Sequence, residues 1–137
     1  MIYGYCRIST SKQNIERQVR NILAEYPDAV IVKEIYTGTK KTGRKELECI
    51  ISKVQEGDTI VFDSVSRMSR NANEGVALYI ELYNKGVNLV FLKEPYINTD
   101  TYKLVTQEAV QTVGNDIADI YIMATFIACR EADKTDF

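Results

Sequence analysis

Histidine is absent from this 137-residue chain, and its absence excludes several classes of active site within it. Ser-His-Asp triads, Cys-His pairs and HExxH metal sites all need an imidazole group. Any chemistry must therefore use hydroxyl, carboxylate, guanidinium or ammonium groups.

Cysteine is scarce: Cys6, Cys49 and Cys129 each stand alone within apolar or helical patterns. This spacing favours reduced, packed thiols over a disulfide or zinc framework. A phosphatase-like Cys-x5-Arg loop beginning at Cys6 would need arginine where Lys12 stands, and the other two cysteines fail the same test. We therefore expect neither cysteine catalysis nor a metal site.

Long apolar runs are also missing, as is a charged, apolar and cleavable start of the signal-peptide kind. These absences predict a cytoplasmic protein with no membrane partner. The composition, 45% hydrophobic and 26% charged, is typical of a globular chain of one domain. The net charge of -2 gives no global nucleic-acid signature, although a local basic patch can provide one.

Four short apolar runs predict strands: Ile2–Arg7, Ala29–Ile35, Asp58–Val65 and Val87–Leu92. Helical spacing of apolar residues follows each of the first three: Ile15–Tyr26, Leu47–Val54 and Val76–Tyr83. Strands that alternate with helices indicate βαβ units. We therefore expect an α/β fold, a four-stranded, mostly parallel sheet with helices on both faces.

A long C-terminal helix is predicted from about Asn115, after a shorter helix near Thr101–Val110. Its apolar residues cover most of its circumference, because Ile122, Met123 and Phe126 add a second face. Such a helix must be covered on more than one side. We expect dimerisation through this helix, with burial in the chain's own core as the alternative.

Polar loops carrying arginine follow the first three predicted strands. Arg7 comes two residues before Ser9, Arg44 lies in the loop after the second strand, and Arg67 and Arg70 follow the third. Because the carboxyl ends of parallel strands meet at one edge, these side chains should converge. Guanidinium groups match phosphate oxygens, so we predict a metal-free site in which Ser9 attacks a phosphodiester.

The spacing of Arg67 and Arg70 predicts that both lie on one side of a first helical turn, with Met68 turned inward. Cations at a helix N-terminus oppose the macrodipole, so this position favours a bound anion such as phosphate.

These residues resemble the catalytic domain of the serine site-specific recombinases, the resolvase and invertase family. The resemblance runs in order over about residues 1–100. Its motifs are Tyr5-x-Arg7-x-Ser9-Thr10, Gln13, Gln18, Arg44 in its loop, Gly57-Asp58 and Ser66-Arg67-Met68-Ser69-Arg70.

The resemblance implies that Ser9 attacks DNA and forms a transient 5′-phosphoserine link, followed by strand exchange and religation without a cofactor. Arg7, Arg67 and Arg70 would hold the phosphate, with help from Arg44, while Gln13 and Gln18 would order the site. The expected partner is double-stranded DNA, contacted by Lys12, Lys40, Lys41 and Lys45. The expected assembly is a homodimer that forms a tetramer on paired sites.

The chain departs from the family at Ser66, where many members carry an acid. The proton donor for the leaving oxygen therefore stays open, with Ser66, Asp63 and Glu131 as possible supporting residues.

The resemblance also suggests how the chain is organised. It implies a catalytic α/β domain over residues 1–112 and the start of an oligomerisation helix over 113–137. The polar end lacks a helix-ending Gly or Pro, so we expect the sequence to be cut short, with the family's DNA-binding region outside it.

Two other functions fit the residues. A phosphate-binding α/β module without catalysis would use the same sheet edge. A regulatory partner that dimerises but has lost catalysis would account for Ser66.

Overall fold

The computed structural model describes residues 1–8, 15–35, 44–69 and 72–103. Its elements, in chain order, are β1 Ile2–Ile8, α1 Glu16–Glu25, β2 Val30–Ile35, α2 Lys45–Lys53, β3 Thr59–Phe62, α3 Val65–Met68, α4 Ala72–Asn84, β4 Asn88–Phe91 and a 3-10 helix Pro95–Ile97. Residues 99–103 are again helical. The predicted C-terminal helix lies outside the described residues.

The four strands form one parallel sheet in the order β2-β1-β3-β4. Strand β1 is central: Tyr5 pairs with Val32 of β2 on one side and with Phe62 of β3 on the other. The predicted four-stranded parallel sheet is therefore confirmed. All of its strands end at the same edge, which receives the loops after β1, β2 and β3.

Helices cover both faces of the sheet, as predicted. On one face, Tyr5 and Phe62 pack with Leu47 of α2, Val65 of α3 and Tyr79 of α4 in the larger hydrophobic cluster. On the other face, Cys6 and Val61 pack with Val19 and Ile22 of α1. Alternation along each strand thus assigns a side chain either to the α2–α4 face or to the α1 face.

The cysteines that the structure describes behave as packing and surface residues. Cys6 is buried and Cys49 is exposed, and both are free thiols. Burial and the nearby Asp63 carboxylate raise the pKa of the Cys6 thiol to about 12, so it stays protonated at neutral pH. Cys129 lies outside the described residues. Among the residues that the structure describes, no helix is long and apolar enough to span a bilayer.

The third strand is shorter than the sequence pattern predicts. It ends at Phe62, and Val65, predicted as its last residue, instead begins helix α3. Val65 is buried because this helical turn packs it into the larger cluster, so its apolar character does not indicate a strand. A Glu94 carboxylate oxygen accepts the Val65 N–H at 2.8 Å and satisfies the start of α3.

The predicted helical turn that continues from Arg67 to Arg70 is wrong. Helix α3 ends at Met68, and Ser69 is extended with φ -149° and ψ 150°. Arg67 therefore lies within the single turn of α3, and Arg70 lies outside the described residues. The inward position of Met68 is confirmed, since this side chain is fully buried.

Substitution of Gly4 tests how closely α1 packs on the sheet. A Cβ at Gly4 would lie 2.8 Å from Ile31 Cδ1 and 2.9 Å from Ile22 Cγ2. Gly4→Val should therefore lower the free energy of unfolding by about 1–3 kcal/mol through overpacking. Urea unfolding measures the loss, with Ala77→Val on the exposed side of α4 as the control. Equal stability of Gly4→Val and wild type would contradict this packing.

Candidate active site

The end of β1 is fixed by the side chain of Gln18 in α1. Strand β3 pairs with β1 only as far as Tyr5, so the backbone of Arg7 extends beyond that pairing. Gln18 takes over there: its Oε1 accepts the Arg7 N–H at 3.0 Å, and its Nε2 donates to the Arg7 carbonyl at 2.8 Å. Gln18 is buried and therefore positions the chain immediately before the loop that carries Ser9.

Two arginines from different elements bind the backbone of α3. Arg7 Nη2 donates to the Ser66 carbonyl at 2.7 Å, and Arg44 Nη2 donates to the Met68 carbonyl at 2.7 Å. Arg44 occupies the N-cap position of α2. Because α3 has only four residues, these carbonyls receive few bonds within the helix. The guanidinium groups supply donors in their place.

Arg67 lies on α3 itself, so three arginines meet at this turn. The Nε atoms of Arg44 and Arg67 are buried and have no hydrogen-bond partner among the described residues. Burying a charged donor without a partner is costly, and buried polar groups normally find one. These two donors are therefore suited to an anionic ligand.

A buried acid, Glu34, was missed by the sequence analysis. It pairs with Arg7 across β1 and β2, accepts a hydrogen bond from the Tyr5 hydroxyl, and accepts the Glu46 N–H at 2.9 Å. It therefore links the centre of the sheet to the first turn of α2, next to Arg44. The sequence did carry a signal, an acid within a β-branched run. An acid that is buried in a strand needs partners, so its position indicated a buried polar contact.

The Tyr5 hydroxyl is held in its neutral form. Burial raises its pKa most, the hydrogen bond and negative charge of Glu34 raise it further, and Arg7 and Arg44 oppose the shift. Tyr5 thus acts as a hydrogen-bond donor to Glu34.

Ser66, at the position where the family often carries an acid, has only a hydroxyl to offer. Its Oγ lies 2.9 Å from Ser64 Oγ. Asp63 lies on the opposite, α1 face: its Oδ1 accepts from Asn21 Nδ2 at 2.9 Å, and Lys93 Nζ lies 3.5 Å from its Oδ2. Asp63 therefore contacts Asn21 and Lys93 on that face.

The remaining predicted residues divide into two groups. Lys45 is exposed at the first position of α2, next to Arg44. Ten others lie outside the described residues: Ser9, Gln13, Arg70, Glu131, Lys12, Lys40, Lys41, Ile122, Met123 and Phe126. Within the described part of the chain, no cluster of acidic and cysteine side chains could hold a metal ion.

Removing the Gln18 amide tests its role at the end of β1. Gln18→Ala should lower the free energy of unfolding by about 1–3 kcal/mol, because two buried backbone groups of Arg7 lose their partner. Urea unfolding measures the change, and Gln55→Ala at an exposed position is the matched control. A Gln18→Ala protein as stable as the control would show that these bonds contribute little.

Removing the Tyr5 hydroxyl tests its link to Glu34 through pH. The pKa of Tyr5 is raised in the folded protein, so its contribution to stability is full below about pH 10 and is lost as the pH rises further. The free energy of unfolding should therefore fall less steeply above about pH 10 in Tyr5→Phe than in wild type. Tyr96→Phe, at a half-exposed ring, is the control. Parallel alkaline profiles of Tyr5→Phe and wild type would contradict the buried link.

Comparison with known proteins places the chain in a family. The family model of the resolvase N-terminal domain matches residues 2–121. The Tn501 transposon resolvase of Pseudomonas aeruginosa is 36% identical over 99 residues, covering 70% of this chain and 49% of that protein. A resolvase of Clostridium perfringens is 32% identical over 101 residues, covering 72% of this chain and 52% of that protein. The chain thus spans about half the length of these relatives.

A solved structure shares the fold. The crystal structure of a resolvase family site-specific recombinase from Streptococcus pneumoniae aligns with a TM-score of 0.58 at 23% identity, covering 96% of this chain and 97% of that one. The parallel sheet and the family match agree with the motifs around Arg7 and Arg67. The chain therefore belongs to the resolvase family of serine site-specific recombinases and carries their N-terminal, catalytic domain.

Proposed function

We propose that this protein recombines DNA at specific sites with Ser9 as its nucleophile. The observation that carries the proposal is the meeting of Arg7, Arg44 and Arg67 at α3, where two buried guanidinium Nε atoms have no partner among the described residues. Such donors match the oxygens of a phosphodiester and stabilise the charge that develops during its cleavage. Family membership supplies the DNA substrate.

In this mechanism, Ser9 Oγ loses its proton and bonds to phosphorus, and the bond from phosphorus to the 3′-oxygen breaks. The products are a 5′-phosphoserine link and a free 3′-hydroxyl. Religation reverses these steps after strand exchange, so no energy source or cofactor is consumed. Arg7, Arg67 and Arg70 hold the phosphate through the transition state, and Arg44 assists from the start of α2.

The glutamines act on the position of the nucleophile. Gln18 fixes the backbone of Arg7 two residues before Ser9 and is therefore a positioning residue. Gln13 is proposed to order the same loop. The hydroxyl of Ser66 cannot replace a carboxylate as an acid at neutral pH, so the leaving oxygen takes its proton from an arginine, from water or from Glu131. Asp63, which contacts Asn21 on the α1 face, and Ser66 are the other proposed supporting residues.

The wider assembly follows the same proposal. Lys12, Lys40, Lys41 and Lys45 would contact the DNA backbone, and double-stranded DNA is the substrate. Residues 113–137 would form a helix that dimerises through Ile122, Met123 and Phe126, and two dimers would form the synaptic tetramer. Residues 1–112 would be the catalytic domain of a cytoplasmic protein.

A second candidate function rests on the hydroxyl at Ser66. A non-catalytic, phosphate-binding or regulatory member of the family would keep the arginines and the dimer helix but would not need a proton donor. This candidate predicts binding of DNA without a covalent product.

Ser9→Ala separates the two candidates. Protein that includes its DNA-binding region is mixed with labelled DNA carrying its site, and products are resolved on a denaturing gel. Wild type should form a covalent protein-DNA adduct, and Ser9→Ala should reduce it by at least about a thousandfold, because loss of a nucleophile removes the whole pathway. Ser11→Ala, two residues further on, is the matched control and should retain the adduct.

Stability measurements complete this test. Ser9→Ala should change the free energy of unfolding by no more than about 0.5 kcal/mol, because the proposal gives this hydroxyl a role in catalysis and none in folding. An adduct that persists in Ser9→Ala would refute the assignment of the nucleophile. Synapsis of wild type without any adduct would favour the non-catalytic candidate.

A further inference from the structure

Arg44 faces a carboxylate in addition to the backbone of α3. Its Nη1 lies 3.8 Å from Glu74 Oε2, while its Nη2 donates to the Met68 carbonyl at 2.7 Å. The third nitrogen, Nε, is buried and has no hydrogen-bond partner in the described part of the chain. One guanidinium group therefore has a hydrogen-bonded anchor, a charged neighbour and an unused donor.

The two contacts differ in kind. The bond to Met68 has the length of a charge-assisted hydrogen bond and orients the guanidinium. The 3.8 Å separation from Glu74 is too long for a hydrogen bond and is an attraction between charges. Because the side chain of Arg44 is 24% exposed and that of Glu74 is 60% exposed, water screens this attraction. Removing Glu74 should thus leave Arg44 anchored.

Glu74 also has a second source of stabilisation. It lies in the first turn of α4, where a negative charge complements the helix macrodipole. The Glu74 carboxylate therefore remains in a favourable position when Arg44 binds another anion. The exchange of one anion for another at Arg44 needs no change in the backbone.

We propose that Glu74 is a resident counter-ion of Arg44 that competes with the DNA phosphate for this arginine. In the absence of DNA, Glu74 occupies one side of the guanidinium, and the incoming phosphate must displace it. Glu74 thus weakens the encounter with any phosphate while Met68 keeps Arg44 in place. This inference rests on the proposed function, because it assumes that Arg44 contacts the phosphate.

Glu74→Gln is the direct test, since it keeps the size of the side chain and removes its charge. The full chain is titrated into a short fluorescein-labelled DNA duplex at low salt, and anisotropy gives the Kd. Glu74→Gln should lower the Kd about two- to fivefold, the range expected for loss of one exposed ion pair. The gain should shrink as salt is added.

Glu81→Gln is the matched control. Glu81 is exposed on the same helix about 10 Å further along, and its substitution changes the net charge equally. Its Kd should stay closer to that of wild type, because the interaction between charges weakens with distance and Glu81 lies further along α4 than Glu74, which faces Arg44. An equal gain in both variants would show a general charge effect and would overturn the inference.

A double variant identifies the route of the effect. In an Arg44→Ala background, Glu74→Gln should give no gain in affinity, because the arginine for which Glu74 and the phosphate compete has been removed. A gain that persists there would mean that Glu74 repels the phosphate directly, and weaker binding by Glu74→Gln alone would mean that it positions Arg44. Either result overturns the proposal.

A signal from Arg44 itself gives an independent reading. In NMR spectra of the side-chain Nε–H group, pyrophosphate should shift the Arg44 resonance at a lower concentration in Glu74→Gln than in wild type. Failure of this inference is distinguishable from failure of the proposed function. Serine-dependent adduct formation with no difference between Glu74→Gln and wild type in binding would refute only the counter-ion.

Discussion

The hydrogen bonds from Arg7 and Arg44 to the Ser66 and Met68 carbonyls hold together the described part of the candidate site. Helix α3 is one turn long, too short to be stable by itself. Its position depends on these guanidinium groups at its carbonyls and on Glu94 at its first N–H. The residues proposed to bind phosphate therefore also build the turn that carries Arg67. A substitution of Arg7 or Arg44 will consequently affect both the charge of the site and its shape.

Two buried carboxylates accept backbone N–H groups at this edge. Glu34 lies in β2 and accepts an N–H from the first turn of α2. Glu94 comes after the end of β4 and accepts an N–H from the first residue of α3. Buried charges of one sign are costly unless charges or donors of the other sign lie close by. Glu34, which pairs with Arg7 across β1 and β2, therefore offsets part of the positive charge at this edge.

The sequence predicted the sheet well because strand and helix periodicities differ and alternate regularly along the chain. The prediction for Val65 was wrong because one apolar residue gives the same sequence pattern at the end of a strand and in a short helical turn. Glu34 was missed because the pairing of this residue with Arg7 depends on strand order and register, which are properties of the assembled sheet. Gln18 was identified by resemblance, but only the structure shows that it binds the Arg7 backbone.

Strand alternation also bears on which group could donate a proton in place of the acid that Ser66 replaces. Val61 packs on the α1 face, and Asp63, two residues later, stays on that face with Asn21. Arg7 follows Tyr5 onto the other face, where Glu34 joins Tyr5 to α2. The sheet thus places the Asp63 carboxylate and the Arg7 side chain on different faces. The described groups that lie at α3, the Ser66 hydroxyl among them, stabilise charge more readily than they donate protons.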